Sequence, residues 1–331
     1  MGIVQEMIRT VFTDQPDRAV ARDEDCLLAP PHDSPLPMKL WRDHDPLAVV
    51  HFPPEYVAQP FAPPRGVYES DRVRVEWQTM DNRQPFYHRN CDVDEISYQI
   101  AGDRTLMTEL GVVEHRPGEL SRLPRGVAHD NYGRRESHLL FYTPAPVAEE
   151  RAPERTSEAL FPVFPGWEPA PHNEAITQCL GAPEHDITVF PVDERLLLEQ
   201  VHATDDRLTV LRAADGPGVT WFYRSPHFRL ASVRRSGGEA VVYQRTLDAD
   251  EIQYQVSGRR VLVSQRGIVE LGPGDFVRVP LGLAHTSIST EDTEHLSVYA
   301  ATELPQIGPT ARTAEPYTPR RLAELRDGSG R

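Results

Sequence analysis

Residues 86–131 read FYHRNCDVDEISYQIAGDRTLMTELGVVEHRPGELSRLPRGVAHDN, and residues 242–287 read VYQRTLDADEIQYQVSGRRVLVSQRGIVELGPGDFVRVPLGLAHTS. The second stretch repeats the first at a constant offset. Arg89/Arg245, Asp92/Asp248, Asp94/Asp250, Glu95/Glu251, Tyr98/Tyr254, Gln99/Gln255, Pro124/Pro280 and His129/His285 pair without a gap, as do the glycines at 102/258, 111/267, 118/274 and 126/282. Repeats this long, with alternating apolar residues cut by glycine turns, are two copies of one β domain; solenoid units span only ~20–50 residues.

Working outward, 331 residues suffice for two such domains, each with its own core. With 31 prolines and 21 glycines and little long helical periodicity, the chain calls for strands and turns. The stretch Arg72–Met80 (RVRVEWQTM) alternates as a strand, and Phe228–Arg235 (FRLASVRR) lines up with it ahead of the second copy. The domain plan is 1–65, an N-terminal helix and proline-rich arm; 66–146, the first barrel; 147–220, a linker and lead-in strands; 221–303, the second barrel; and 304–331, a tail. A helix is expected from Val4, Met7, Ile8, Val11 and Phe12 at helical spacing, another from RRLAELR near the end, and a ragged polar terminus after it.

A formal net charge of −15 argues against a nucleic-acid partner, which Lys and Arg would have to neutralise. No stretch has the length of a transmembrane helix, and the first residues lack the apolar core of an export signal, so a cytoplasmic protein with no membrane partner is expected. Three scattered cysteines, Cys26, Cys91 and Cys179, offer no disulfide framework, and Cys91 reads as a small buried packing residue.

Alternation places His88 and Asn90 on one strand face directed into the first barrel, with Glu95, Ser97 and Gln99 able to join them after the CDVD turn. His129 and Asn131 share a face further on. Two histidines and a carboxylate converging in a β barrel form a set that suits non-haem Fe(II) and leaves positions open for other ligands. Asp94 stands beside Glu95 as a competing carboxylate. In the second copy Glu251 and His285 remain, but Gln244 replaces the histidine; an amide is a poor ligand there, so this site is expected to be degraded, with Glu251 and His285 bonded to Gln244.

The phrase YHRNC with its following Glu, and PGE with LPRGVAH, resembles the cupin superfamily, whose first motif supplies His and Glu and whose second supplies a His. Within it, HRNC followed shortly by Glu looks most like the homogentisate 1,2-dioxygenases, and the two-cupin layout is similar to the large subunit of hydroquinone dioxygenases. The sequence departs from the HxH form of the motif at Asn90, which leaves three protein ligands. The resemblance implies an all-β fold of two tandem cupin barrels (double-stranded β-helix, jelly roll) with short peripheral helices. It implies Fe(II), or another divalent transition metal, held by His88, Glu95 and His129. It implies ring-cleaving dioxygenation of a homogentisate-, gentisate- or hydroquinone-like substrate with O2. Asn90, Gln99 and Asn131 are then candidates to line the pocket and bind substrate, Arg125 and Arg89 candidates near the rim for an acidic substituent of it, and His138 a candidate base. Isomerase, decarboxylase or oxidase chemistry, or a non-catalytic binding or scaffold role, are the competing readings. A homo-oligomer such as a dimer, or a small partner subunit, is also expected from the resemblance.

Overall fold

The computed structural model describes residues 2–13, 15–29, 45–180, 186–238 and 242–328. The rest of the proline-rich arm and the last residues of the tail lie outside the described residues. Two tandem jelly-roll barrels account for most of the chain, as the repeat requires. In the first barrel the strands Val93–Thr108 and His129–Pro144 each run through both sheets, so the two sheets join into one of eleven strands. In the second barrel the equivalents are broken, as Asp250–Ser257 with Arg260–Ser264 and His285–Ile288 with Thr293–Ala300, leaving sheets of six and eight strands.

All four pairs of repeat glycines adopt positive φ at nearly equal values. At Gly102 and Gly258 the constraint is double: φ is +67° and +69°, and a Cβ would meet the backbone of Arg135 or Asp292. Apolar side chains of the outer sheets, including Trp77, Phe141, Phe228, Tyr254 and Phe276, pack into one core cluster that spans both barrels.

The N-terminal segment is a strand, Ile3–Arg9, and not the helix that its apolar spacing predicts. It pairs parallel to Val242–Thr246 and antiparallel to Arg18–Asp23. Its one fully buried side chain in the ladder is Glu6, ion-paired with Arg22 and Arg245. The ladder and this charge network outweigh a local helical period that a short segment cannot enforce alone. The C-terminal helix, Pro319–Arg326, forms as expected and is capped by Thr318.

Two further segments sit elsewhere than the sequence reading implies. Beyond the first strand, Ala48–His51 joins the second barrel's sheet beside Asp275–Val279, while the arm that follows lies on the first barrel, with Val57 donating to Thr79 and the Ala62 carbonyl accepting from Gln78. The stretch after the first barrel is not a free linker. Pro171–Thr177 pairs parallel to Tyr87–Asn90, and Thr209–Arg212 pairs with Glu119–Leu123, both in the first barrel. Each half of the chain thus begins with a hairpin, a short helix and a strand that complete the other half's barrel.

The anchors of this exchange are the repeated residues themselves. Asp92 accepts from the backbone N–H of Cys179 and Leu180, and Asp248 from those of Val11 and Phe12. Arg89 pairs with Glu174 as Arg245 pairs with Glu6. Tyr87 donates to Glu194, and Tyr243 to Glu24, each at 2.8 Å.

Candidate metal centre

The site is set by three strands of the first barrel. Tyr87–Asn90 lies beside His129–Pro144, and the pairing places His88 opposite His129. Glu95 comes from Val93–Thr108, the strand on the other flank of His129–Pro144. Glu95 Oε2 is 3.4 Å from Nε2 of both His88 and His129, and the imidazole centroids are 3.8 Å apart. His129 is fully buried, Glu95 nearly so, and the His88 side chain keeps 17 % of its surface exposed, making it the solvent-side member.

The donors fit a divalent transition ion. His129 Nδ1 faces the Val127 carbonyl at 3.2 Å, which holds the proton on Nδ1 and leaves Nε2 as a lone pair. That Nε2 is buried and has no hydrogen-bond partner. A buried nitrogen with no hydrogen bond of its own, 3.4 Å from a carboxylate and beside a second imidazole, is a donor set that could hold such an ion. Burial alone would push the Glu95 carboxyl up, but positive charge on His129 and then His88 holds it well below the usual carboxylate range, a part that a bound cation would take over from neutral imidazoles. Among the described residues this is the one group of three such ligands that meets within 4.8 Å.

The competing carboxylate is excluded. Asp94 accepts from Arg122, from the backbone N–H of Arg125 and from that of Val147, a turn-fixing role that Asp250 repeats with Arg278, Leu281 and Leu304. Its side chain points away from the histidines because neighbours in a strand face opposite sides.

Asn90 stands beside the ligands as a buried orienting group. Its Nδ2 donates to Glu95 Oε2 at 3.0 Å, and its Oδ1 accepts from Thr177 Oγ1 and Cys179 Sγ. It is spent on the carboxylate and on the exchanged segment, which corrects its expected role in contacting substrate. Arg125, expected near the rim, is exposed on the turn after Pro124. Arg89 is occupied by Glu109 and Glu174 and by the Gly126 carbonyl, so it is no anchor at the rim. Cys91, expected buried, is exposed; only Cys179 is buried.

Gln99, Asn131 and His138 lie in the barrel interior, each with one buried polar atom without a partner: Oε1, Oδ1 and Nε2 respectively. Gln99 Nε2 donates to Glu136 Oε2, and His138 Nδ1 shares its proton with the same carboxylate at 2.9 Å. Burial, reinforced by Arg104, pushes the His138 imidazole down, so it is neutral at pH 7 with Nε2 available. Asn131 Nδ2 reaches Gln84 Oε1.

Gln84 is the residue that the sequence reading missed. Its Nε2 donates to the Phe86 carbonyl at 2.8 Å and lies 3.1 Å from His88 Nδ1, so the carboxamide braces the imidazole against the lead-in to its strand. No strand period pointed to it, because Gln84 lies in the irregular lead-in before the strand Tyr87–Asn90.

In the second barrel Gln244 does not bond Glu251 and His285. Its Oε1 accepts from Arg9 at 2.7 Å, while Glu251 Oε1 accepts from Ser297 and Gln253. His285 Nε2 stands 3.8 Å from Glu251 Oε2.

No family model matches the chain, and no curated protein matches its sequence. Among solved structures it is similar to a cupin 2 conserved barrel domain protein from Leptotrichia buccalis (9% identity, TM-score 0.46, 74% of this chain and 92% of that one). It is also similar to an oxalate decarboxylase variant from Bacillus subtilis (13%, 0.43, 82% of each chain) and to a salicylate 1,2-dioxygenase from Pseudaminobacter salicylatoxidans (12%, 0.43, 71% and 76%). Among the described residues no helix is long and apolar enough to cross a membrane.

Proposed function

We propose that the first barrel is the active site of a non-haem Fe(II) dioxygenase acting on a dihydroxylated aromatic, with His88, Glu95 and His129 holding the iron. The observation that carries this reading is the unpaired, buried Nε2 of His129 facing Glu95 beside His88. Bound Fe(II) on two histidines and one carboxylate supplies a Lewis-acidic, one-electron-active centre with positions left for substrate and dioxygen.

The chain's own residues do the rest. Asn90 fixes the Glu95 rotamer by donating to Oε2, and Gln84 orients His88. His138, oriented by Glu136 at Nδ1, is equipped to accept a phenolic proton at Nε2. Gln99 Oε1 and Asn131 Oδ1 remain available to a substrate hydroxyl. With His129 and Glu95 buried, bulk water is kept from two of the three ligands.

The test is metal analysis with oxygen-electrode assays on homogentisate, gentisate and hydroquinone after anaerobic Fe(II) loading. About one iron per chain, lost by at least ~100-fold in affinity in His88→Ala, is expected because one of three ligands is removed. Oxygen uptake with one of the diphenols should vanish in the same variant. Iron binding without oxygen uptake on any of them would sink ring cleavage; no iron binding would sink the metal site.

A further inference from the structure

The second barrel encloses a cavity of about 280 Å³, at the low end of the ~300–1,000 Å³ typical of drug-sized pockets. Its lining holds Arg9, Arg260, Arg234 and Arg235 against a single carboxylate, Glu251, in a chain whose net charge is −15. Arg234 is neutralised by Glu294. Arg260 is not. It is almost fully buried, and its three nitrogens donate to neutral oxygens of Gln255, Gln253 and Ser287 at 2.6, 2.8 and 2.7 Å. Burial, with Arg235 nearby, pushes it down to about 9, still cationic at neutral pH. A buried guanidinium with only amide and hydroxyl partners favours an anion beside it.

Three buried polar atoms in this lining have no hydrogen-bond partner: Arg9 Nε, His295 Nδ1 and Glu251 Oε2, the last 3.8 Å from His285 Nε2. His295 and Glu251 are 5 % and 2 % exposed, so water outside does not satisfy them. Arg9 reaches in from the exchanged N-terminal strand, its Nη2 donating to Gln244 and to the Tyr299 hydroxyl at 3.0 Å. It brings positive charge toward Glu251 in the barrel whose metal histidine is missing. A nearby cation there disfavours a second, divalent one.

We propose that the second barrel is a binding site, independent of metal, for a small hydroxy-carboxylate. Arg9 and Arg260 take the carboxylate, and Glu251 Oε2 accepts from a hydroxyl. An inorganic anion leaves Glu251 unsatisfied and repelled; a neutral polyol leaves the guanidinium groups without an anion; a hydroxy acid answers both. Entry is past Gly218 and the half-exposed Val219 at the rim. The proposal stands apart from the iron reading, because it uses no residue of the first barrel.

The experiment is calorimetric titration of the full chain, stripped of metal by chelation, with D-glycerate, L-tartrate and D-gluconate, and with succinate, erythritol and inorganic phosphate as controls. At least one hydroxy acid should bind, with succinate, erythritol and phosphate at least ~10-fold weaker, the scale of a hydrogen bond to a charged group. Arg9→Met should weaken binding by at least ~10-fold. Glu251→Gln, nearly isosteric, should bring hydroxy acid and succinate to comparable affinity, and it keeps the test readable if Arg9→Met does not fold. No binding of any hydroxy acid, phosphate binding as tight as the hydroxy acids, or binding that both substitutions leave unchanged would overturn the proposal.

Discussion

The two barrels share a scaffold and differ at the one place where a cation belongs. In the first, His88 and His129 flank Glu95, and the facing residue of the exchanged strand is Thr177, spent on Asn90. In the second, Gln244 stands for His88 and the exchanged strand delivers Arg9 in the place of Thr177. The second barrel gives its buried glutamate a guanidinium as positive neighbour, and in the proposed reading a metal ion would serve the first in the same way. A buried carboxylate needs one, and what differs is whether the chain or the solvent supplies it.

The comparison breaks most visibly by conversion. Arg9→Thr with Gln244→His should restore a ligand set in the second barrel, raising iron from about one to about two per chain by metal analysis. Gln244→His alone should not, because the Arg9 cation stays; a second metal in that single variant would refute the role given to Arg9.

Acid sharpens the contrast next. Burial pushes His285 down to about 4 from an ordinary 6.5, against the pull of Glu251. A depressed folded value makes the neutral imidazole stabilising above pH 6.5, a contribution lost as pH falls through 4. The loss should reach about 3 kcal/mol by denaturant titration between those limits. His285→Gln should make that slope shallower by its own share, since burial also pushes His115, His138 and His295 down; an unchanged slope would place the acid sensitivity at those groups.

Smaller effects test the shared scaffold. Asp248→Ala strips an acceptor from the backbone of Val11 and Phe12, and about 2 kcal/mol of stability should go, with faster hydrogen exchange along Ile3–Arg9. Gln84→Ala should weaken iron binding about 10-fold without touching the second barrel, the ordinary size of a group that orients a metal-bound histidine. An unchanged iron affinity would show that His88 is held by other contacts.

Much of this was legible in the order of residues. The repeat fixes two barrels because its glycines must turn with positive φ at equal places, and its period-two alternation must bury the same faces. Alternation also brings His88 toward Glu95 and His129, since those three residue types at interior positions have few other uses. What the order of residues could not supply was the exchange of leading segments between barrels. Residues 3–28 and 171–198 share only a short Asp-Glu-x-x-Leu-Leu, at 23–28 and 193–198, set at a different offset from the main repeat, and the helical period of Val4, Met7 and Ile8 pointed the wrong way. Nor could it show that Arg125 faces solvent, that Asn90 is spent on Glu95, or that Arg9 enters the second barrel, some 235 positions from Gln244 along the chain. Local sequence determines which face of a strand a side chain takes, because that is set by adjacent peptide geometry. Which distant strand it then meets depends on burying the whole molecule's apolar surface while pairing its buried charges, and only the tertiary structure settles that.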